Sequence, residues 1–148
     1  MRLVVIESPY AGDIETNVEY AKCCVLDCLD RGEAPLASHL LYTQVLDDKN
    51  VDQRELGLLA GWMWMDAANL VAVYIDRGIS PGMKRGIGYA FHVGTPVEFR
   101  SLRTRTTMPV LVSSSFDAVL ESMLSGEPDQ QTEPSLPFSE RPASTDQS

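Results

Sequence analysis

Two short runs of consecutive apolar residues constrain what this chain can fold into more than any other feature. They read RLVVIE at Arg2–Glu7 and LVAVYI at Leu70–Ile75, and both are too short for an ordinary core helix. Neither alternates apolar with polar residues, so each strand has to be covered on both sides. Strands of this kind are typical of parallel sheets that lie between two layers of helices. The two runs therefore predict an α/β protein.

Helical and weaker strand patterns alternate with these two runs. Asp13 is the predicted N-cap of a helix that extends to about Asp30, where Arg31-Gly32 ends it. Asp52 and Glu55 form a capping-box pattern at the start of a second helix. The face predicted to be buried on that helix comprises Leu56, Leu59, Ala60 and Met63. The remaining predicted elements are helices at Gly82–His92 and Phe116–Leu124, and short strands at Ala34–His39, Thr95–Phe99 and Pro109–Val112.

The alternation of strands and helices predicts a flavodoxin- or Rossmann-like fold, with a parallel sheet and helices on both of its faces. One such domain is expected to occupy residues 1–125. Residues 126–148 are rich in Pro, Ser, Gln and Glu and poor in apolar residues, so they are expected to form a disordered acidic tail. The whole chain carries a net charge of −9, which disfavours double-stranded nucleic acid as a partner.

The cysteines and the apolar segments bear on the compartment. Cys23, Cys24 and Cys28 lie within the first predicted helix, where their spacing does not suit disulfide geometry. Two thiols without a nearby histidine make a weak zinc site, so we interpret them as reduced and mostly buried. We predict no metal and no cofactor. No segment resembles a signal peptide or a membrane span, so the sequence predicts a cytoplasmic protein that does not bind a membrane.

Three polar loops follow the predicted strands at the edge of the sheet where ligands of such folds bind. In the first loop, Pro9 fixes a turn and Tyr10 offers a ring that can stack on a base. In the second loop, His39 could hold a phosphate or a sugar hydroxyl, or only a backbone carbonyl. The candidate ligand-binding residues in and beside the three loops are Ser8, Tyr10, Gly12, His39, Tyr42, Gly78, Ser80, Gly82 and Met83.

The third loop, Asp76–Gly82, has the composition of an anion site. Gly78, Ser80 and Gly82 precede a helix, and the unpaired amides at a helix start attract a phosphate. Asp76 ends the preceding strand, and its carboxylate could accept ribose hydroxyls or cap the turn instead. A plain strand-to-helix turn has a similar composition, so this loop alone does not decide between the two interpretations.

The order of these motifs resembles that of the nucleoside 2-deoxyribosyltransferase-like superfamily. IESPYAG after the first strand is similar to the superfamily's hydrophobic-Ser-Pro-aromatic start. Gly88-Tyr89-Ala90 and Gly94-Thr95-Pro96-Val97 occupy the places of its closing helix and strand. The APLASHLLYTQ segment and the ISPGM loop are closer still to an uncharacterised domain family of phage and bacterial genomes. The resemblance covers about residues 1 to 100.

The resemblance implies a flavodoxin-like fold that binds nucleosides or nucleotides and exchanges or cleaves their N-glycosidic bond. Members use a glutamate nucleophile near the start of the closing helix, and the alignment places that glutamate at Gly86. Glycine has no side chain, so the usual nucleophile is missing. The superfamily's acidic residue before the loop corresponds to Asp76, and its N-terminal aromatic residue corresponds to Tyr10.

Two functions follow from this combination. The first is a protein that binds a nucleoside- or nucleotide-derived ligand, as a sensor or by sequestering it, without glycosyl transfer. The alternative is an N-glycosidic-bond hydrolase or transferase that uses Asp76 or Glu7 as its acid and base. In both cases the partner is a small nucleoside or nucleotide, and the compartment is the cytoplasm, that of the host if a phage encodes the chain.

The segment GWMWMD, Gly61–Asp66, places large apolar side chains on all sides of a predicted helix. One domain cannot cover all of them, so some are expected to lie at a subunit contact. We predict a homodimer or a higher homo-oligomer.

Overall fold

The computed structural model describes residues 1–110 and residue 121. The helix predicted at Phe116–Leu124 and the tail predicted from residue 126 therefore lie outside, or almost outside, the described residues. The elements are β1 (Leu3–Glu7), α1 (Ile14–Asp30), β2 (Ala34–Leu36), α2 (Ser38–Leu41), a 3-10 turn (Tyr42–Gln44), α3 (Val51–Ala67), β3 (Leu70–Tyr74), α4 (Pro81–Val93), β4 (Val97–Arg100) and β5 (Thr107–Val110). Within this part of the chain, no helix is long and apolar enough to cross a membrane.

The five strands form one sheet in the order β2-β1-β3-β4-β5. The first four strands are parallel, so the predicted α/β fold with a buried parallel sheet is confirmed. The last strand differs, because β5 pairs antiparallel with β4. The connection from residue 101 to residue 106 is too short for the crossover that a parallel neighbour needs, so the chain turns back as a hairpin.

Alternate residues of the strands fill two separate cores, one on each face of the sheet. On one face, Val71, Val73 and Phe99 pack against side chains of α3 and α4. On the other face, Ile6 and Tyr74 pack against the cysteines of α1. Both sides of the central strands are therefore covered, as their continuous apolar sequences predict.

Helix α1 begins and ends as predicted, whereas the start of α3 does not. The side chain of Asp13 accepts the amide of Thr16 at the start of α1. At the start of α3 the cap is Asn50, which accepts the amide of Gln53. The predicted capping box is wrong, because Glu55 extends instead to the guanidinium of Arg85 on α4.

The face predicted to be buried on α3 is also wrong. Leu56, Leu59 and Met63 are each more than half exposed, and the buried positions are Gly61 and Met65. Gly61 lies so close to α2 that a Cβ atom there would stand 2.6 Å from the hydroxyl of Ser38. The helix therefore turns a glycine toward α2 and leaves Leu56 and Leu59 outward, because close backbone packing needs a residue without a side chain.

A buried arginine joins distant parts of the sheet. The side chain of Arg100, at the end of β4, is 1% exposed and makes a two-pronged pair with Glu33, with N–O distances of 2.7 and 2.9 Å. It also donates to Glu98 at 2.7 Å and contacts the Sγ atom of Cys28 at 3.4 Å. Arg2 reaches the same Glu33 carboxylate from the amino-terminal end. The charged groups of this cluster therefore find their hydrogen-bond partners in one another.

We expect Arg100→Met to lower the free energy of unfolding by about 3 kcal/mol, because it leaves the Glu33 carboxylate buried beside a single, half-exposed partner. Urea unfolding at neutral pH measures the loss. The matched control is Lys22→Met, which removes an exposed pair with Glu19 and should cost less than about 0.5 kcal/mol. Equal losses in the two variants would contradict a structural role for the buried pair.

Candidate functional site

A cavity of about 280 Å³ opens at the carboxyl end of β1. It is bounded by the loop after β1, by α2 and the 3-10 turn, by α3, and by the start of α4. In sheets with this strand order, the neighbouring β1 and β3 lead to opposite faces, and a crevice forms at their carboxyl ends. The lining residues are Glu7, Ser8, Tyr10, Ala11, Ser38, His39, Tyr42, Thr43, Leu46, Asp48, Gln53, Arg54, Gly57, Leu58, Trp62, Ser80, Pro81, Gly82 and Met83.

Most of the predicted ligand-binding and catalytic residues lie together in the structure. Those that line the cavity are Glu7, Ser8, Tyr10, His39, Tyr42, Ser80, Gly82 and Met83. Gly12 and Gly78 do not line it. Both have positive φ angles, +93° and +80°, so they serve the turns that lead into α1 and α4.

Asp76 is the nominated residue that the structure uses elsewhere. It does not line the cavity, and its carboxylate accepts hydrogen bonds from Ser101, from Tyr20 and from two backbone amides of the β4–β5 turn. Burial opposes its ionisation, yet these hydrogen bonds outweigh burial and lower the pKa of Asp76 to about 2. The carboxylate of Asp76 therefore stabilises the β4–β5 turn and lies apart from the cavity in which we expected it to bind a sugar or act as an acid or base.

Glu7 is the acid that lies in the cavity wall. Its carboxyl group sits directly over Gly86 of α4, where an added Cβ atom would overlap it and stand 2.8 Å from the carboxyl carbon. Among the described residues it has no hydrogen-bond partner, and desolvation by burial raises its pKa from 4.5 to about 8. At neutral pH the group is therefore largely protonated and is available to donate a hydrogen bond into the cavity.

Ser8 and His39 form a second polar contact in the wall. The Oγ atom of Ser8 lies 2.8 Å from the Nε2 atom of His39. Burial lowers the pKa of His39 to about 4, so the imidazole is neutral at pH 7. The ring of Tyr10 meets His39 edge-on at 6.5 Å, and the amide of Asn17 holds the backbone carbonyl of Tyr10 in place. The protein's own hydrogen bonds therefore hold the loop after β1 in place without a ligand.

The start of α4 satisfies most of its own donors. The Oγ atom of Ser80 accepts the amide of Met83, and the amide of Ser80 approaches the thioether sulfur of Met83 at 3.4 Å. Pro81 has no amide hydrogen. Of this first turn, the amide of Gly82 is left without a protein acceptor among the described residues. The first turn of α4 therefore contributes one unpaired backbone donor to the anion site predicted from the glycines of this loop.

The sequence did not predict that α3 forms one wall of the cavity. Arg54 lines the cavity and pairs with Asp48 at 3.3 Å. Trp62, expected at a subunit contact, lines it as well, and its ring stacks on Tyr89 with 5.6 Å between centroids. Residues Gly57 and Gly61, spaced by one helical turn, are the signal that could have revealed how closely α2 and its turn approach this helix.

The described residues contain no cluster of His, Cys, Asp and Glu side chains that could hold a metal ion. Cys24 and Cys28 are buried and Cys23 is exposed, and all three are free thiols. Burial raises the pKa of Cys24 and of Cys28, so these thiols are poor nucleophiles at neutral pH.

Comparison with known proteins places the chain within a family and a fold. Residues 2–100 match the model of a family described as a domain of unknown function, DUF7768. The chain is similar to the 2-deoxyribosyltransferase of the psychrotolerant bacterium Bacillus psychrosaccharolyticus, with a TM-score of 0.55 and 14% identity over 67% of this chain and 72% of that one. It is also similar to a CMP N-glycosidase of Clostridium botulinum, with a TM-score of 0.42 and 16% identity over 68% and 69%. A search of curated proteins found no match. The likeness to the deoxyribosyltransferase shows a shared fold.

We expect Glu7→Gln to remove a loss of stability that the wild type suffers as the pH rises. The pKa of Glu7 is about 8 in the folded chain and 4.5 ordinarily, so the folded state keeps the proton that the unfolded state releases. The free energy of unfolding of the wild type should fall relative to that of the variant between about pH 4.5 and about pH 8. Above about pH 8 the difference between the two proteins should stay constant. Urea unfolding across this range measures the difference, with Glu15→Gln on the exposed first turn of α1 as the control.

We expect Gly86→Ala to displace the carboxyl group of Glu7 into the cavity, because the new methyl group takes its space. Contact with water should then lower the pKa of Glu7 toward its ordinary value. Titration of the glutamate carboxyl carbons by NMR follows this change. Gly88→Ala, on the same helix with no atom within 4 Å of the new methyl, should leave Glu7 as it is. Identical titrations in both variants would rule out the overlap.

Proposed function

The chain belongs to the DUF7768 family of domains of unknown function, and on the basis of its fold and its cavity we propose that it binds a nucleoside or nucleotide at the carboxyl end of β1. The observation that carries the proposal is the Glu7 carboxyl group, which lies half-buried in the cavity wall and has no protein partner among the described residues. A ligand that hydrogen-bonds to this group would replace the water that it loses in the wall. The deoxyribosyltransferase of the same fold serves as a biocatalyst for the synthesis of nucleosides, which supports this ligand class.

The walls offer complementary groups for the two halves of such a ligand. Tyr10 supplies an aromatic ring on which a base can stack, and Trp62, whose ring already contacts Tyr89 and Arg85, adds an apolar edge to the wall. The protonated carboxyl group of Glu7 can donate to one sugar hydroxyl and accept from another. The volume of about 280 Å³ suits one small molecule rather than a polymer. The protein would then sense or sequester a nucleoside-derived compound.

The position of Glu7 over Gly86 favours a second candidate function, the cleavage of an N-glycosidic bond. The resemblance aligns position 86 with the superfamily's nucleophilic glutamate, and here the carboxyl group of Glu7 fills the space beside that position. A protonated Glu7 could give its proton to the departing base while the bond from the anomeric carbon to the base nitrogen breaks. Water would then bond to the anomeric carbon, and the proton it releases would restore the acid. Asp76 takes no part in this version.

Titration calorimetry and thermal shift with nucleosides and nucleotides test the binding. We expect Tyr10→Ala to weaken the best ligand about fivefold to a hundredfold, because stacking of a base on an aromatic ring contributes about 1–3 kcal/mol. Tyr10→Phe keeps the ring and is the matched control, so it should retain most of the affinity. If no compound of the panel binds the wild type, the proposed function is wrong.

Chromatography of the same mixtures separates the two candidates. Released base from the wild type, together with its loss in a Glu7→Gln variant that still binds, would establish the hydrolase. Binding without released base would leave the sensor or sequestering role.

A further inference from the structure

We infer that the ligand of this cavity is an uncharged nucleoside without a phosphate group. This inference rests on the proposed function, and it narrows the ligand class that the sequence left open. It is carried by the two cationic side chains that line the cavity or contact its wall, Arg54 and Arg85, which are paired within the protein, while the carboxyl group of Glu7 is not.

Arg54 is the one cationic side chain among the lining residues. Its Nη1 atom lies 3.3 Å from the Oδ2 atom of Asp48, which also lines the cavity, so the two formal charges cancel where a ligand would sit. Arg85 approaches the wall through its contact with Trp62, 5.1 Å from the ring centroid. Both of its terminal nitrogens, however, are bonded to the two oxygens of Glu55 at 2.7 Å. A phosphate would have to displace one of these carboxylates to gain a cation.

The helix start that commonly binds a phosphate is also occupied. In α4, Pro81 lacks an amide hydrogen, the amide of Met83 is taken by the hydroxyl of Ser80, and the amide of Ser80 faces sulfur. The single remaining amide, that of Gly82, offers one hydrogen bond where phosphate sites present several. The backbone amides that would attract an anion in an uncapped helix are used here to cap α4.

The unpaired group in the cavity wall is the carboxyl group of Glu7, which is neutral or negative, whereas a group that binds phosphate is positive. Glu7 contributes no charge when protonated and a negative charge when ionised, so the lining residues sum to zero or to −1 with Arg54 and Asp48 included. His39 adds no positive charge, because its half-buried imidazole is neutral and shares a hydrogen bond with Ser8. A dianionic phosphate would therefore meet no net positive charge among the lining side chains.

The polar groups that remain suit hydroxyls and a base. The hydroxyl of Tyr42 accepts the indole N–H of Trp64 and keeps its own hydrogen to donate. Glu7 in its protonated form can both donate and accept. Neutral donors and acceptors of this kind recognise a sugar or a nucleobase without demanding a charge.

The test compares each common nucleoside with its 5′-monophosphate by titration calorimetry on the full chain at pH 7. We expect at least one nucleoside to bind, with its monophosphate at least about tenfold weaker. A monophosphate that binds as tightly as its nucleoside, or more tightly, overturns the inference but leaves the proposed function standing. Failure of every nucleoside and every monophosphate to bind removes the proposed function itself.

Asp48→Asn sharpens the comparison, because it removes the carboxylate charge that offsets the guanidinium of Arg54. The expected result is a several-fold fall in the ratio of nucleoside to monophosphate affinity, with folding checked by circular dichroism. Asp47→Asn is the matched control, since it removes the same charge from the neighbouring residue, which does not line the cavity. If the ratio changes equally in the two variants, internal pairing of Arg54 is not what excludes phosphate, and the inference is overturned.

Discussion

The ion pair between Arg100 and Glu33 is the interaction on which the rest of this fold depends. It connects the end of β4 with the residue before β2, so it spans the parallel part of the sheet beneath α1. Strand β2 contributes only three residues and would be held weakly by its backbone bonds alone. Tethering that edge keeps the segment after β2 in place, and that segment is α2, which supplies His39 to the cavity. The buried pair of Arg100 and Glu33 thus helps to position α2, although it does not line the cavity.

The cavity depends in turn on a side chain that is absent. Because Gly86 leaves its space empty, the long side chain of Glu7 can fold back over α4 instead of projecting into the crevice. The same placement strips water from the carboxyl group and raises its pKa. One glycine therefore determines both the position of the acid and its protonation state. The self-capped start of α4 completes a site with little net charge.

The sequence predicted the fold well where the pattern is local and strong. The continuous runs at β1 and β3 and the Asp13 cap appear as expected, since a short apolar run or a capping residue acts through its neighbours. The orientation of α3 was not predictable in this way, because a helix with apolar residues on every side does not reveal which face is buried. The hydrogen-bond partners of Asp76 could not be predicted for a related reason. Its partners, the amides of Leu102 and Arg103, are brought to it by the β4–β5 hairpin and leave no trace in the loop that contains it.

The overlap between Glu7 and Gly86 also makes the two positions interdependent under substitution. Glu7 keeps this pose only while position 86 lacks a side chain, because even a methyl group there would occupy the place of the carboxyl group. The effects of substitutions at the two positions should therefore not add, since a change at one alters the surroundings of the other.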